Sequence, residues 1–314
     1  MSWKIYGGKV KGIGVNKQFT ADLVMLIITM FWGSSYLFTR FGLESIEEFN
    51  LIALRFCIAF VLAGAVFYKR FKLIDLQTVT YGFLLGTILF LLVAVVTIGV
   101  KFTSISNAGF LFSLAVVFVP IILAVILKKK TEKKVVIGIV LSITGIGLLT
   151  LNNGLKINPG DILVILGALV YSIYIIMTDK LTKHVDSVAL GILQLGFSGA
   201  WGLVFSFIFE TPHLPETKGS WISILALSVL CSAVGFIGQT AAQKYTTPAH
   251  TGLIFSLEPV FAAFFALIFA GEILPVKGYA GASLVLMGVI IAKLDFKKPD
   301  FTKRLNDKVY KTGV

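Results

Sequence analysis

Long apolar stretches recur along most of the chain, and only short polar stretches separate them. A helix needs about twenty apolar residues to cross the hydrocarbon core of a membrane, and about ten stretches approach or reach that length. They are 20–39, 49–68, 79–100, 106–127, 135–151, 161–179, 188–209, 221–243, 249–270 and 276–293. The pattern predicts an all-α integral membrane protein with ten transmembrane helices.

The composition agrees with this class of protein. The chain is 57% hydrophobic and 14% charged, whereas a soluble chain of 314 residues needs more polar surface. Its net charge of +12 comes largely from short tracts between apolar stretches, such as the run at 128–134. Basic tracts in that position orient a membrane protein. We therefore expect a lipid bilayer and a small-molecule substrate as partners, and no nucleic acid.

The distribution of Lys and Arg predicts the orientation of the chain. If the N-terminus is cytoplasmic, most of these residues fall on the cytoplasmic side, as the positive-inside rule requires. The basic residues expected on the external side of the membrane are few, namely Arg40, Lys101, Lys156, Lys218 and Lys277. Both termini are thus expected in the cytoplasm of a multi-pass protein of the plasma membrane. Segment 1–19 is interpreted as a retained cytoplasmic segment, because no small-residue cleavage site follows the first apolar stretch. The basic tail 295–314 either sets the topology or also binds anionic headgroups.

An internal repeat relates the two halves of the chain. Residues 101–151 align without a gap with residues 244–294, and Phe112-Ser113-Leu114 meets Phe255-Ser256-Leu257. A weaker similarity joins the earlier parts of the halves, where Trp32 meets Tyr171 and Arg55 meets Gln194. The repeats are assigned to residues 20–151 and 161–294. Because five spans in each repeat place the second copy in the opposite orientation, the repeats are expected to be inverted, as in many alternating-access transporters.

Several motifs in this order resemble those of the drug/metabolite transporter superfamily, and specifically its EamA-type members. They are "FWGSSYLFTRFG" at 31–42, "LRF" at 54–56, "TTPAHTGLIFSLEPVFAAFFALIFAGE" at 246–272 and "GASLVLMGVII" at 281–291. The resemblance implies two inverted five-helix halves, a central cavity, and export of small organic molecules, often coupled to protons. One departure is that the first repeat lacks the proline and the Gly-Glu pair at the end of its fourth span.

Glu258 is the main candidate for proton coupling, because it lies within an apolar stretch. A charge at the membrane centre costs roughly 2.5–3.5 kcal/mol on insertion scales, so this side chain must face protein or water. It is interpreted either as a protonatable group in a transport cavity or as an acceptor for backbone N–H groups near Pro259. His250 is a second candidate, which is otherwise a residue at the end of a helix.

Arg55 and a set of aromatic and hydroxyl residues are candidates for substrate binding. Arg55 would bind a carboxylate in a bidentate manner, or else extend to the outer membrane interface or pair with the end of a helix. Trp32 and Tyr36 lie four residues apart on one helical face, and aromatic walls with a few hydroxyl groups are typical of small-molecule pockets. Helix packing is the alternative for these residues. The candidate set is Trp32, Ser35, Tyr36, Arg55, Ser113, Tyr171, Tyr174, Gln239 and Ser256.

Paired glycines seven residues apart, Gly138 with Gly145 and Gly281 with Gly288, predict close helix packing or a homodimer through these helices. Cys57 and Cys231 both fall within apolar stretches, which indicates neither a disulfide framework nor a metal site. No cofactor is predicted.

These features favour a secondary transporter that exports small amphipathic metabolites, such as amino acids, with proton coupling. An antiporter of phosphorylated or nucleotide-linked sugars is the nearest alternative, although it would need several cations in its cavity. A membrane enzyme or a lipid-handling protein is the alternative from another class. The spans contain too few ionisable residues for a nucleophile, a base and an orienting group, so no catalytic residue is assigned.

Overall fold

The computed structural model of the chain describes residues 15–126, 133–150, 158–245, 251, 254–255 and 257–293. Most of the predicted N-terminal segment, the whole tail, His250 and Ser256 lie outside these residues. The part that is described is helical, and its α-helices are α1 (Val15–Gly42), α2 (Glu48–Val66), α3 (Leu76–Phe102), α4 (Ile105–Phe112), α5 (Ala115–Ile126), α6 (Lys133–Thr150), α7 (Pro159–Leu181), α8 (Ser187–Phe209), α9 (Lys218–Ala226), α10 (Gly235–Gln243), α11 (Glu258–Ala270) and α12 (Val276–Lys293). A 3₁₀-helix spans Tyr68–Leu73, and a π-helix, Leu227–Val234, joins α9 to α10.

The helical segments have the length and apolarity of membrane spans. Within the described ranges, seven helical segments are long and apolar enough to cross a membrane, and two shorter apolar helices accompany them. Large apolar side chains are exposed on the outside of the bundle, for example Phe207 at 72% and Ile208 at 64%. Exposed surface of this kind is expected against lipid. The all-α membrane class is therefore confirmed, while the count of ten spans stays a prediction.

Two predicted spans are interrupted in ways that their apolar sequences do not indicate. The span predicted at 106–127 is divided into α4 and α5 at Ser113 and Leu114. The span predicted at 221–243 contains the π-helix, in which the backbone repeat is wider than in an α-helix. At both interruptions the backbone departs from a regular α-helix inside the bundle, next to the cavity described below.

Helix ends reproduce the internal repeat of the sequence. We give the name repeat partners to residues that the two alignments pair. The partners Ala115 and Glu258 begin α5 and α11, and α6 and α12 have partner residues at both ends. Likewise, Gly42 and Leu181 end α1 and α7, and Glu48 and Ser187 begin α2 and α8. The alignment registers proposed from the sequence are thus also the registers of the helices.

The glycines of α6 and α12 bring these two helices into close contact. A Cβ atom added at Gly145 would lie 2.6 Å from the carbonyl oxygen of Gly281, and one at Gly288 would lie 2.5 Å from Ser142 Oγ. This packing within the chain is the first of the two predicted roles. A homodimer through the same helices stays a prediction.

We call the face at which α1 begins the inner face and the face at which it ends the outer face. At the inner face Asp75 caps α3 by accepting hydrogen bonds from Thr78, and these bonds lower the pKa of Asp75. At the outer face the Glu272 carboxylate accepts hydrogen bonds from the backbone N–H groups of Ile105 and Ser106 at the start of α4. Glu272 also pairs with Arg40 at 3.3 Å, which links the outer ends of α1, α4 and α11.

Candidate functional site

A cavity of about 60 Å³ lies within the bundle, between its middle and its outer end. Four residues of α1 and five of α3 contribute to its wall, and Thr39 and Val100 mark its outer end, close to where α1 and α3 stop. The lining residues are Trp32, Ser35, Tyr36, Thr39, Arg55, Leu92, Val93, Val96, Thr97, Val100, Phe112, Tyr171, Phe236 and Glu258. An apolar cavity with a few polar groups is the usual form of a small-molecule site.

Glu258 occupies this cavity at the first residue of α11 and is 4% exposed. Its carboxylate accepts a 2.7 Å hydrogen bond from the Tyr36 hydroxyl of α1. Pro259 follows within the first turn, where a missing backbone N–H does not disturb the helix. Among the described residues the partner of Glu258 is therefore a phenol from the other half. The interpretation of Glu258 as an acceptor for backbone N–H groups near Pro259 stays a prediction, because Ser256 and other residues just before it lie outside the described part of the chain.

Arg55 reaches the cavity from α2 and is 5% exposed. Its Nε donates a 2.6 Å hydrogen bond to Ser232 Oγ in the π-helix. In the described part of the chain it forms no ion pair, so the terminal guanidinium nitrogens have no carboxylate partner. The alternative that Arg55 extends to the membrane interface is wrong, since the side chain is buried inside the bundle.

Trp32 connects the aromatic wall of the cavity to the π-helix. Its Nε1 donates a 2.9 Å hydrogen bond to the carbonyl oxygen of Cys231, and its ring lies edge-on to Tyr171 with 6.1 Å between the centroids. Phe236 packs against the same indole at 5.2 Å. The polar edge of each buried ring is turned to a hydrogen-bond partner or to the cavity, as is usual for buried Trp and Tyr.

The structure brings together six of the predicted binding and coupling residues and separates others. Trp32, Ser35, Tyr36, Arg55, Tyr171 and Glu258 line the cavity. Ser113 does not, because it ends α4 and its hydroxyl donates to the carbonyl oxygen of Phe110. Tyr174 and Gln239 are fully buried outside the cavity.

Other lining residues were not predicted from the sequence. Val93, Val96 and Thr97 belong to α3, which is apolar around its whole circumference, so the sequence does not show which side faces the cavity. Phe112 and Phe236 were also missed. The repeat held a signal for Phe112, because its partner Phe255 packs against Trp32 at 5.1 Å.

A second and wider cavity, of about 450 Å³, lies at the outer end of the bundle. Its wall contains the cations Arg40, Lys101 and Lys277 and the carboxylates Asp161 and Glu272. Thr103 donates a hydrogen bond to Asp161, and Lys101 forms an ion pair with Glu48. Thr39 lines the first cavity and the next residue, Arg40, lines the wider one, so the two cavities are neighbours along α1. Within the residues searched, no cluster of His, Cys, Asp and Glu is suited to a metal ion.

Comparisons with known proteins assign the chain to a family. The model of the EamA-like transporter family matches residues 19–151 and again residues 158–294. An uncharacterized transporter of Archaeoglobus fulgidus is 30% identical over 278 residues, which cover 88% of this chain and 87% of the relative. The uncharacterized transporter YetK of Bacillus subtilis is 24% identical over 94% of this chain and 93% of its own length.

One solved structure supports the same fold. It is described as "Crystal structure of protein", has a TM-score of 0.66 at 18% identity, and covers 91% of this chain and 99% of its own. With the family matches over both halves and the buried, partly polar cavity between them, the chain belongs to the EamA-like transporter family and is a multi-pass membrane transporter.

Proposed function

We propose that the chain is a secondary active transporter that exports small amphipathic metabolites, amino acids or related compounds, across the cell membrane by alternating access coupled to protons. The observation that supports this most is that Arg55 and Glu258 line one apolar cavity without pairing with each other in the described chain. A guanidinium binds a carboxylate, and a carboxylate binds an ammonium group. The aromatic wall accommodates an apolar side chain.

The same arrangement provides a simple means of coupling. A substrate ammonium group and a proton compete for the carboxylate of Glu258, so that release of one is favoured by binding of the other. Tyr36 holds the carboxylate by its hydroxyl at 2.7 Å and keeps it directed to the cavity in either case. Exchange of one substrate for one proton is the expected result.

The alternative substrates are supported less well. A phosphorylated or nucleotide-linked sugar carries at least two negative charges and needs several cations near it. Among the described residues that line the cavity, Arg55 is the one cation. The cations Arg40, Lys101 and Lys277 line the wider outer cavity instead, where Glu272 pairs with Arg40 and Glu48 pairs with Lys101.

The test uses purified protein in liposomes and measures counterflow of labelled amino acids, with and without an imposed proton gradient. Glu258→Gln retains an acceptor for the Tyr36 hydroxyl but cannot release a proton. We expect this variant to lose stimulation by the gradient and to keep counterflow with a lower apparent affinity, because the amide oxygen still accepts a hydrogen bond from the substrate ammonium group but carries no charge. Glu216→Gln, in the exposed loop between α8 and α9, is the matched control and should behave as the unchanged protein.

Two results would contradict the proposal in different ways. Counterflow that ignores both the gradient and Glu258→Gln would remove the proton role. Absence of counterflow for every amino acid tested, by protein that retains its normal melting temperature, would remove the proposed substrate class.

A further inference from the structure

A buried polar cluster lies between α7, α8 and α10, on the inner side of the cavity. Its members are at most 1% exposed and carry no formal charge. We name it the inner seam, and it consists of Tyr174, Thr178, Gln194, Gln239, Thr240 and Gln243. Polar side chains buried this deeply in a membrane bundle are expected to be hydrogen-bonded throughout.

The inner seam is only partly hydrogen-bonded. The Tyr174 hydroxyl donates to Gln194 Oε1 at 2.8 Å, and Gln194 Nε2 donates to Thr240 Oγ1 at 3.0 Å. In contrast, neither side-chain polar atom of Gln243 has a partner in the part of the chain that the structure describes, and the same holds for Gln239 Oε1. A buried amide without partners destabilises the conformation that contains it. Packing alone does not explain why amides stand at these positions.

The internal repeat relates the inner seam to the open cavity, residue by residue. The registers are those that the helix ends of the two halves share, continued backwards without a gap from Lys101 and Lys244 into α3 and α10. In these registers six residues of the cavity wall are the repeat partners of the six seam residues. The pairs are Ser35 with Tyr174, Thr39 with Thr178, Arg55 with Gln194, Val96 with Gln239, Thr97 with Thr240, and Val100 with Gln243. Every member of the inner seam is therefore the partner of a residue that lines the cavity.

Inversion gives this correspondence a direction. Partner residues of inverted repeats lie at equivalent depths on opposite sides of the membrane centre. The first copy lines the cavity, which lies between the middle and the outer end of the bundle, whereas the second copy lines neither cavity and is packed at most 1% exposed toward the inner face. An exchange of conformations between the two halves would close the first surface and open the second.

We propose that the inner seam is the closed inner half of the transport path, and that it opens to the inner face as a water-filled passage lined by amides and hydroxyls. This rests on the proposed alternating-access function. In the opened conformation water or substrate supplies the partners that Gln243 and Gln239 lack. The six seam residues carry no fixed charge, since Gln194 stands at the partner position of Arg55, and the partner position of Glu258 is held by Ala115. The passage conducts the polar parts of a substrate to Arg55 and Glu258 without holding them.

Thiol labelling tests the inference without any knowledge of the substrate. The two native cysteines are replaced by Cys57→Ala and Cys231→Ser, and single cysteines are introduced as Gln243→Cys, Val100→Cys and Ala59→Cys. A membrane-impermeant maleimide is added to intact cells or to inverted membrane vesicles. Ala59 is fully buried in α2 and does not line the cavity, which makes it the control.

We expect Gln243→Cys to be labelled from the inner face at least about tenfold faster than Ala59→Cys, a ratio that corresponds to about 1.4 kcal/mol. Val100→Cys should be labelled from the outer face. The inference would be overturned if Gln243→Cys is labelled no faster than Ala59→Cys while Val100→Cys is labelled from the outer face in the same assay.

A second variant separates a path residue from a packing residue. Gln243→Leu removes an unpartnered amide from the closed seam and should favour that closed conformation. The expected result is an unchanged or higher melting temperature, faster labelling of Val100→Cys from outside, and slower transport. If Gln243→Leu changes neither the labelling nor transport, the seam is not on the transport path. If Gln243→Cys is labelled from the inner face but the protein shows no amino acid counterflow, only the proposed substrate class is contradicted.

Discussion

At the scale of single residues, the cavity combines two buried charges with different supports. Tyr36 of the first half holds Glu258 of the second half, while Ser232 of the second half holds Arg55 of the first. Each charged group is thus oriented by the opposite half of the molecule. A shift between the halves would change both sites together, which is what a transporter needs if substrate and proton are to be coupled.

Arg55→Lys tests the role of the guanidinium. Lys keeps the charge but cannot form the bidentate contact with a carboxylate or reproduce the bond from Nε to Ser232. We expect the apparent affinity for amino acids in counterflow to fall about tenfold, equivalent to about 1.4 kcal/mol. Arg70→Lys, at the exposed pair with Asp186, is the control. An unaltered apparent affinity in Arg55→Lys would mean that Arg55 only packs the bundle.

Much of this site could be predicted from the residues that are unusual for a membrane span. Glu258 and Arg55 stand out because a charge in lipid is costly, and Trp32 and Tyr36 because they lie far from the expected interfaces. Thr97 and Val96 do not stand out. Their exposure to the cavity depends on the rotation of α3 about its axis, which an evenly apolar sequence leaves undetermined.

At the scale of elements, the helices depend on glycines where they cross. Gly33 allows α1 to approach α11, since a Cβ atom added there would lie 2.4 Å from Phe261 Cβ and 2.9 Å from the backbone nitrogen of Ala262. The glycine beside Trp32 therefore allows α1 and α11 to approach closely next to Glu258. The break between α4 and α5, in contrast, has no local signal, because the surrounding sequence is a good apolar helix former.

Gly33→Ala should destabilise the protein, because the backbone of α11 cannot yield as a flexible side chain would. Overpacking of this kind costs typically about 1–3 kcal/mol, which exceeds the gain of roughly 1 kcal/mol in helix propensity. Thermal unfolding in detergent measures the effect as a lower melting temperature. Gly219→Ala is the control, since its nearest neighbour would be Thr217 Oγ1 at 3.9 Å. Equal melting temperatures for the two variants would show that α1 and α11 are not tightly packed there.

At the scale of the whole molecule, the repeat organises both the helices and the cavity. The halves share helix ends at several partner positions, although their sequences agree clearly only in the last two spans of each. Helix length is maintained by membrane thickness and by packing, which tolerate many apolar substitutions. This is why the register could be predicted from a few matched residues while the detailed lining could not.

The number of crossings has a direct consequence for the chain ends. Ten spans place both termini on one face, whereas the seven long segments alone would place them on opposite faces. We expect epitope tags at the N-terminus and at the C-terminus of the full chain to be inaccessible to antibody in intact cells and accessible in inverted vesicles. Exposure of one tag in intact cells would refute the count of ten.

The pairing of Glu258 with Ala115 across the repeat has an energetic consequence for the organism. In the described lining of the cavity there is one carboxylate, so under the proposed coupling this site would exchange one proton for each molecule exported. One charge that crosses 100 mV releases about 2.3 kcal/mol, which sustains a concentration ratio of roughly 50. Under that coupling, an acid in only one of the two partner positions would limit the gradient of the exported molecule to this ratio, enough to relieve an accumulated metabolite and too small to empty the cell of it.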